Sequence, residues 1–166
     1  MSKKILIDLE KFRTAHKDGE YNFGECTYDF HPDNLGIKDL IELAMLHITC
    51  RRCEDAPCIS VCKEEALEKD DDGMVERATN LCVGCLSCVT VCPFGSLFLG
   101  VITSKKSICD LCDFSDDKES LRCMETAPEG AITFTEMEAD EAKHIYALND
   151  KVLVKEIAWD DLKDND

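Results

Sequence analysis

The chain has 166 residues, a formal net charge of −16 and 12 cysteines, and 45% of its residues are hydrophobic. Nucleic acids and anionic membrane surfaces are recognised through Lys and Arg, so this charge argues against both kinds of partner. When the cysteines are set aside, about 38% of the residues remain for an ordinary apolar core, which is lean. The length suits one compact body or two small fused modules.

Short apolar runs predict strands at three places, residues 4–7, 97–102 and 131–134. Residues 37–48 have their apolar side chains at helical spacing after Asn34, which predicts a packing helix. This pattern of short elements favours a small mixed α and β fold.

The N-terminus lacks the apolar core of a secretory signal, so we expect a cytoplasmic protein. Residues 78–104 contain no charged side chain and resemble a membrane span in hydropathy. Four cysteines, three glycines and Pro93 lie within this segment, however, and a lipid-facing helix has no use for regularly spaced cysteines. We therefore expect no membrane anchor.

The high cysteine content indicates metal binding rather than disulfides in a reducing compartment. The most specific pattern is Cys82-x2-Cys85-x2-Cys88-x3-Cys92-Pro93. Three thiolates at i, i+3 and i+6 suit a [4Fe–4S] cubane, and the fourth, followed by proline, ligates the other cluster of a pair. Structural zinc uses two separated Cys-x2-Cys pairs and has no role for a third cysteine on the same loop.

A second run, Cys50-x2-Cys53-x4-Cys58-x3-Cys62, has the same layout with two extra residues. The two runs are therefore predicted to exchange their fourth cysteines. One cluster then has the ligands Cys50, Cys53, Cys58 and Cys92. The other has the ligands Cys62, Cys82, Cys85 and Cys88.

A third group, Cys109-x2-Cys112-x10-Cys123, is incomplete. Taken alone, it fits a zinc ribbon as well as an iron–sulfur site. Its spacing does not decide between the two metals.

A repeated tail follows the cysteine groups: Cys62-Lys-Glu-Glu-Ala-Leu, Cys92-Pro-Phe-Gly-Ser-Leu and Ala127-Pro-Glu-Gly-Ala-Ile. In this register, Ala127 occupies the position of a fourth cysteine. A further, degenerate copy near the N-terminus keeps the spacing of the first three cysteines but has Phe12, Ala15 and Asp18 at those positions. The chain is thus built from four related motifs, two of which have lost sulfur.

Over nearly the whole chain, these motifs resemble the four-cluster ferredoxin-type subunits that pass electrons in formate dehydrogenases, hydrogenases and molybdenum or tungsten oxidoreductases. In that family the first and fourth motifs exchange ligands, as the second and third do. The resemblance implies that the cluster whose ligand positions are Phe12, Ala15, Asp18 and Ala127 is absent here. It also implies a third cluster, with the ligands Cys26, Cys109, Cys112 and Cys123, so that the 12 cysteines form three sites with none left over.

In size, in cluster count and in lacking an anchor, the chain also resembles the small iron–sulfur subunits of class II benzoyl-coenzyme A reductases. The catalytic partner in those enzymes carries a tungstopterin. No residue pattern in the chain itself indicates recognition of benzoyl-coenzyme A.

We therefore expect an α+β fold made of two loop-rich, bacterial-ferredoxin-like modules stapled by iron–sulfur clusters. Residues 49–99 form the two-cluster module. Residues 1–48 and 100–135 form a second module that retains one cluster. Residues 136–166 form a C-terminal arm, which packs either on a partner or on the chain's own core.

The sequence shows no convincing acid–base pair, nucleophile or nucleotide loop, so we expect no catalysis by the chain alone. The leading hypothesis is an electron-transfer subunit with three [4Fe–4S] clusters. It would connect a larger catalytic subunit of Mo- or W-pterin type with a further electron-transfer protein. The alternatives are a free polyferredoxin, the small subunit of a formate dehydrogenase or hydrogenase, and a zinc-stapled interaction protein.

Overall fold

The computed structural model describes residues 3–20, 22–26, 37–103 and 119–158. Its helices are α1 (Leu9–Lys17), α2 (Ile37–Thr49), α3 (Pro57–Ser60), α4 (Ser87–Val91), α5 (Leu99–Thr103) and α6 (Arg122–Thr126). Its strands are β1 (Lys4–Asp8), β2 (Leu67–Lys69), β3 (Val75–Arg77), β4 (Ile132–Thr135), β5 (Ile145–Asn149) and β6 (Val152–Lys155). Among these residues, no helix is long and apolar enough to cross a membrane.

A four-stranded sheet in the order β4-β1-β6-β5 organises one half of the described chain. Strand β1 pairs antiparallel with β4, where Ile5 lies opposite Phe134, and parallel with β6, where Ile5 lies opposite Val152. Strand β6 is an interior strand, and its residues 152–154 are fully buried. Part of the segment described above as a C-terminal arm therefore packs on the chain's own core. Trp159 lies outside the described residues, and the domain boundaries stay a prediction.

Helix α1 begins at Asp8, whose carboxylate accepts a hydrogen bond from the Lys11 amide at 3.3 Å. Asp8 is buried, and its other oxygen accepts a hydrogen bond from the Lys155 ammonium at 3.0 Å. A buried carboxylate needs such partners because water no longer solvates it. Asp8 therefore joins the start of α1 to the end of β6.

Two apolar cores share helix α2. The first core joins the sheet to α1, α2 and α6, and Cys123 is the one buried cysteine among its described residues. The second core lies around the two cysteine runs and contains the buried side chains Leu46, Cys50, Cys58, Leu67, Met74, Val75, Cys88, Leu97 and Ile102. A third of these nine residues are cysteines, so the packing of the second core depends on what the thiols bind.

The structure confirms several elements expected from the sequence. The helix expected over residues 37–48 is α2, and the strands expected at residues 4–7 and 131–134 are β1 and β4. The fold is mixed α and β with many loops, as expected. Its division into two ferredoxin-like modules stays a prediction.

The strand predicted over residues 97–102 is wrong, because residues 99–103 form helix α5. Phe98, Val101 and Ile102 recur at helical spacing and pack against the second core. The Ile102 amide also donates a hydrogen bond to the Phe98 carbonyl at 3.3 Å. A short apolar run has no period that separates a strand from a buried helical turn, and tertiary packing decides here in favour of the helix.

Candidate metal sites

The structure gathers eight of the cysteines around two cavities. Site 1 is the cavity whose lining includes Cys50, Cys53, Cys58 and Cys92. Site 2 is the cavity whose lining includes Cys62, Cys82, Cys85 and Cys88. In each site, one cysteine comes from the other run, which is the grouping that the spacing predicts. That these thiols act as cluster ligands stays a prediction.

The backbone repeats between the two runs. Ala56 and Leu86, each two residues before the third cysteine of its run, both have positive φ, at 36° and 63°. Each precedes a short helix, α3 or α4, and these two helices pack against each other. The Ser60 and Thr90 hydroxyls donate in the same way to the carbonyls of Ala56 and Leu86, at 3.4 and 3.3 Å. Sites 1 and 2 are therefore built by copies of one loop.

Backbone amides point at the fourth cysteine of each run. The Ala66 amide donates to Cys62 Sγ at 3.3 Å, and the Ser96 amide donates to Cys92 Sγ at 3.4 Å. Burial raises the pKa of the Cys92 thiol, but the amides at residues 94–97 outweigh it and hold this pKa below its usual value. Amide donors stabilise a thiolate, which is the form that binds metal.

At the third cysteine of each run, the effect of burial on the pKa outweighs that of the backbone amides. Burial raises the pKa of the Cys58 and Cys88 thiols, against the weaker effect of nearby backbone amides. At Cys85, by contrast, the Ser87 hydroxyl is the main cause of a lowered pKa. Because the thiolate is the ligand, Cys58 and Cys88 lose their protons less readily than Cys85 and depend more on the metal for ionisation.

The residues expected to form the third site are described only in part. Cys123 lies in helix α6 within the first core, and Cys26 packs against the same core. Cys109 and Cys112 lie outside the described residues. The structure thus brings the two described cysteines of this group to one core, although they are far apart in sequence.

Residues 22–26 are tied to helix α6. The Glu25 amide donates to the Thr126 hydroxyl at 2.7 Å, and the Glu25 carboxylate accepts a hydrogen bond from the Arg122 guanidinium at 3.1 Å. A Cβ atom on Gly24 would lie 2.8 Å from the carbonyl oxygen of Cys123. Only glycine allows this close approach, and the hydrogen bonds of Glu25 hold the segment beside α6.

The first motif, which has no cysteine at its first three ligand positions, is part of the first apolar core. Phe12 lies on α1, is buried in the first core, and has its ring centroid 5.9 Å from that of Phe23. Ala127 packs against the same core. Two of the four ligand positions that lack cysteine are therefore occupied by residues that make apolar contacts.

The donor chemistry of both cavities fits an iron–sulfur cluster. Site 2 has a volume of about 260 Å³, with its four cysteines in the wall, so donor set and space both suit a cubane. Site 1 has the same donor set but a cavity of only about 20 Å³, so its side chains must move outward to admit one. Among the described residues, no three His, Cys, Asp or Glu side chains lie close enough to hold a single metal ion.

Sequence reasoning missed a difference in how the two sites are covered. Arg51 and Phe94 both line site 1, and the Arg51 guanidinium lies 5.6 Å from the centre of the Phe94 ring. The corresponding positions at site 2, each counted from its own cysteine, are Val83 and Glu64, which line that cavity. Aligning the two runs residue by residue, beyond their cysteines, provides the signal that finds this difference.

The chain is similar to known iron–sulfur proteins. A family model described as a 4Fe-4S dicluster domain matches residues 41–137. The B subunit of polysulfide reductase from Wolinella succinogenes is 34% identical over 100 residues, which are 57% of this chain and 51% of that protein.

Two further relatives are of the same kind. Thiosulfate reductase electron transfer subunit PhsB of Salmonella typhi is 32% identical over 107 residues, 61% of this chain and 54% of that protein. YnfG of Escherichia coli (strain K12), a probable subunit of an anaerobic dimethyl sulfoxide reductase, is 32% identical over 118 residues, 70% of this chain and 57% of that protein. The chain spans about half the length of these three curated relatives.

Proposed function

The chain belongs to the 4Fe-4S dicluster domain family and carries [4Fe–4S] clusters, and we propose that it is an electron-transfer subunit with three such clusters. In this proposal it connects a catalytic oxidoreductase subunit with a further redox protein. The observation that carries the proposal is the composition of the two cavities, each with three cysteines from one run and the fourth from the other.

The chain's own residues have three roles in this proposal. The thiols of Cys50, Cys53, Cys58 and Cys92 hold one cluster, those of Cys62, Cys82, Cys85 and Cys88 a second, and those of Cys26, Cys109, Cys112 and Cys123 a third. The Ala66 and Ser96 amides stabilise the negative charge on the sulfurs that they reach. Apolar side chains of the second core limit the access of water. Each bound cluster supplies a one-electron couple, and its surroundings set the potential.

The partner in this proposal is a larger catalytic subunit of Mo- or W-pterin type. The names of the relatives support it, because they describe subunits of polysulfide, thiosulfate and dimethyl sulfoxide reductases. The most specific form of the proposal is a tungstopterin benzoyl-coenzyme A reductase, and its support is the resemblance in size and cluster count given above.

Reductive titration tests the electron-transfer role. Chain prepared without oxygen should take up about three electrons from dithionite, one for each cluster, and return them to hexaammineruthenium(III). Electron paramagnetic resonance should show reduced cubanes during the titration. A colourless chain that takes up no electrons contradicts the function and favours a zinc-stapled interaction protein.

Native purification tests the partner. We expect the chain to elute with a larger subunit that contains molybdenum or tungsten and a pterin. Elution of the loaded chain as a stable monomer, with no such subunit, contradicts a permanent complex and favours a free polyferredoxin.

A further inference from the structure

Site 2 exposes one of its four cysteines, whereas site 1 exposes none of its own. Among the ten described cysteines, Cys85 is the one that is exposed, whereas its counterpart in site 1, Cys53, is half-buried. Val83, which follows the first cysteine of its run, is 67% exposed, the highest value among the large hydrophobic side chains of the described residues. Leu81, just before that cysteine, is 47% exposed.

The corresponding positions at site 1 carry a cover of two stacked side chains, which are themselves exposed, Phe94 at 55%. Arg51 takes the place of Val83, Phe94 takes the place of Glu64, and the guanidinium lies over the aromatic ring. A guanidinium stacked on an aromatic ring is a favourable contact that keeps both groups together. The small volume of the cavity at site 1, about 20 Å³ against about 260 Å³ at site 2, agrees with this cover.

We propose that the mouth of site 2, formed by Glu64, Val83 and Cys85, is the surface on which this chain exchanges electrons with a redox protein whose contact face is apolar at its centre and basic at its rim. The inference rests on the proposed function and extends it by assigning one of the sites to the partner. Each encounter passes one electron: the chain is oxidised by one electron, the partner is reduced by one, and no bond forms or breaks.

The charge around this mouth selects the partner. Lys63, Glu64 and Glu65 are exposed next to Cys62, so the acidic residues outnumber the basic one locally, and the whole chain has a net charge of −16. Opposite charge on the partner steers encounter and raises the association rate. The exposed Val83 side chain, with the exposed Leu81 two residues earlier in sequence, offers a small apolar area, as expected for the limited interfaces of weak redox encounters.

The test uses the complete, cluster-loaded chain, reduced with dithionite and mixed rapidly with a basic cytochrome c as the probe partner. Val83→Arg gives site 2 the residue that site 1 has at this position. We expect the second-order rate constant for cytochrome reduction to fall about tenfold and its salt dependence to weaken. Glu64→Gln should also weaken the salt dependence.

Met137→Arg is the matched control, because it adds the same charge at another exposed apolar residue, outside the linings of both sites. Its rate constant should stay within about twofold of the parent. Equal effects of Val83→Arg and Met137→Arg would overturn the proposal. A larger effect of Arg51→Val than of Val83→Arg would also overturn it, and would assign the exchange to site 1.

A second measurement compares the two sites directly. A soluble dysprosium chelate should enhance the electron-spin relaxation of the reduced cluster at site 2 more than that of the cluster at site 1, with Cys85→Ser identifying the signal from site 2. Equal enhancement at both sites would contradict an open site 2. If the chain holds no reducible cluster, the proposed function is wrong. If the clusters are present but show none of the expected differences in rate constant or relaxation, the proposed function stands and only the assignment of the contact surface is wrong.

Discussion

The third position after the fourth cysteine of each run has a left-handed backbone. It is Gly95 in one run, with φ of 64°, and Glu65 in the other, with φ of 51°. An L side chain in this region costs about 1 kcal/mol, whereas glycine adopts it freely. The two runs therefore reach the same turn with different strain.

Replacing Glu65 by glycine and Gly95 by alanine should change the free energy of unfolding in opposite directions. Glu65→Gly should stabilise the loaded chain by up to about 1 kcal/mol, less the entropy that glycine loses on folding. Gly95→Ala should destabilise it by about 1 kcal/mol, and the cause is conformational because a Cβ atom there would meet no atom of the described residues within 4 Å. Thermal unfolding without oxygen measures both, and shifts of the same sign would contradict the account.

Asp8 is expected to stabilise the fold in two ways, as the cap of α1 and as the partner of Lys155. Asp8→Ala removes both and should cost about 1 kcal/mol or more in the free energy of unfolding. Asp8→Asn keeps a capping oxygen and should cost less. If the two variants are equally stable, the cap contributes nothing measurable.

The same pair predicts a dependence on alkaline pH. The hydrogen bond and charge of Asp8 raise the pKa of Lys155 above its ordinary value. Stability from this pair is therefore fully present below the ordinary lysine pKa, near 10.4, and is lost as pH rises through the raised pKa. The difference in melting temperature between the parent and Asp8→Asn should shrink above about pH 10. A difference that grows there would contradict this assignment.

The attachment of residues 22–26 to α6 is expected to build the third site. In Gly24→Ala, the new Cβ would lie 2.8 Å from the carbonyl oxygen of Cys123, so the segment must move away and carry Cys26 with it. We expect the loss of about four iron atoms per chain, with the spectra of the other two clusters unchanged.

Gly19→Ala is the control for this variant. Gly19 has nearly the same φ, 90° against 87° for Gly24, but a Cβ atom there would meet none of the structurally described atoms within 4 Å. Gly19→Ala should lower the free energy of unfolding by about 1 kcal/mol and leave the iron content unchanged. A Gly24→Ala chain with its full complement of iron would show that the third site forms without Cys26 in this position.

Elements with a strong local signal could be predicted from the sequence. The period of helix α2 and the short apolar run of β1 are visible locally, and the cysteine spacing predicts which thiols line each cavity. Helix α5 could not be predicted, because an element of five residues is too short to show a distinctive period. The place of β6 inside the sheet depends on parallel pairing with β1, almost 150 residues earlier in the chain, which no local pattern reports.

The cover of site 1 could not be predicted from motif spacing either, because it depends on how two side chains meet. Arg51 and Phe94 come from different runs and are brought together by the packing of α3 on α4. Spacing specifies the ligands and leaves their surroundings open, although those surroundings control access of solvent and partners.

The two cores should respond differently to loss of iron. Among the described residues, the sheet core has one buried cysteine, whereas three of the nine buried residues of the second core are cysteines. The lean apolar composition predicts that chelation unfolds most of the chain. The two described cores predict the largest loss of structure in the second core, with a smaller loss around Cys26 and α6, where the third site is expected. Hydrogen exchange after anaerobic chelation should show lost protection across residues 50–97 and retained protection in β1 and β6.

A uniform loss of protection across the whole chain would contradict two separable cores. Full protection of residues 50–97 without iron would contradict a structural role for the metal in the second core.

In the proposed function, the 12 cysteines form three [4Fe–4S] sites in one chain. Iron and acid-labile sulfide, measured per chain on protein prepared without oxygen, distinguish three clusters from fewer clusters and from zinc. We expect about 12 iron atoms and about 12 sulfides, with zinc at trace level. A firm value near eight irons, or zinc in stoichiometric amount, would rule out three clusters.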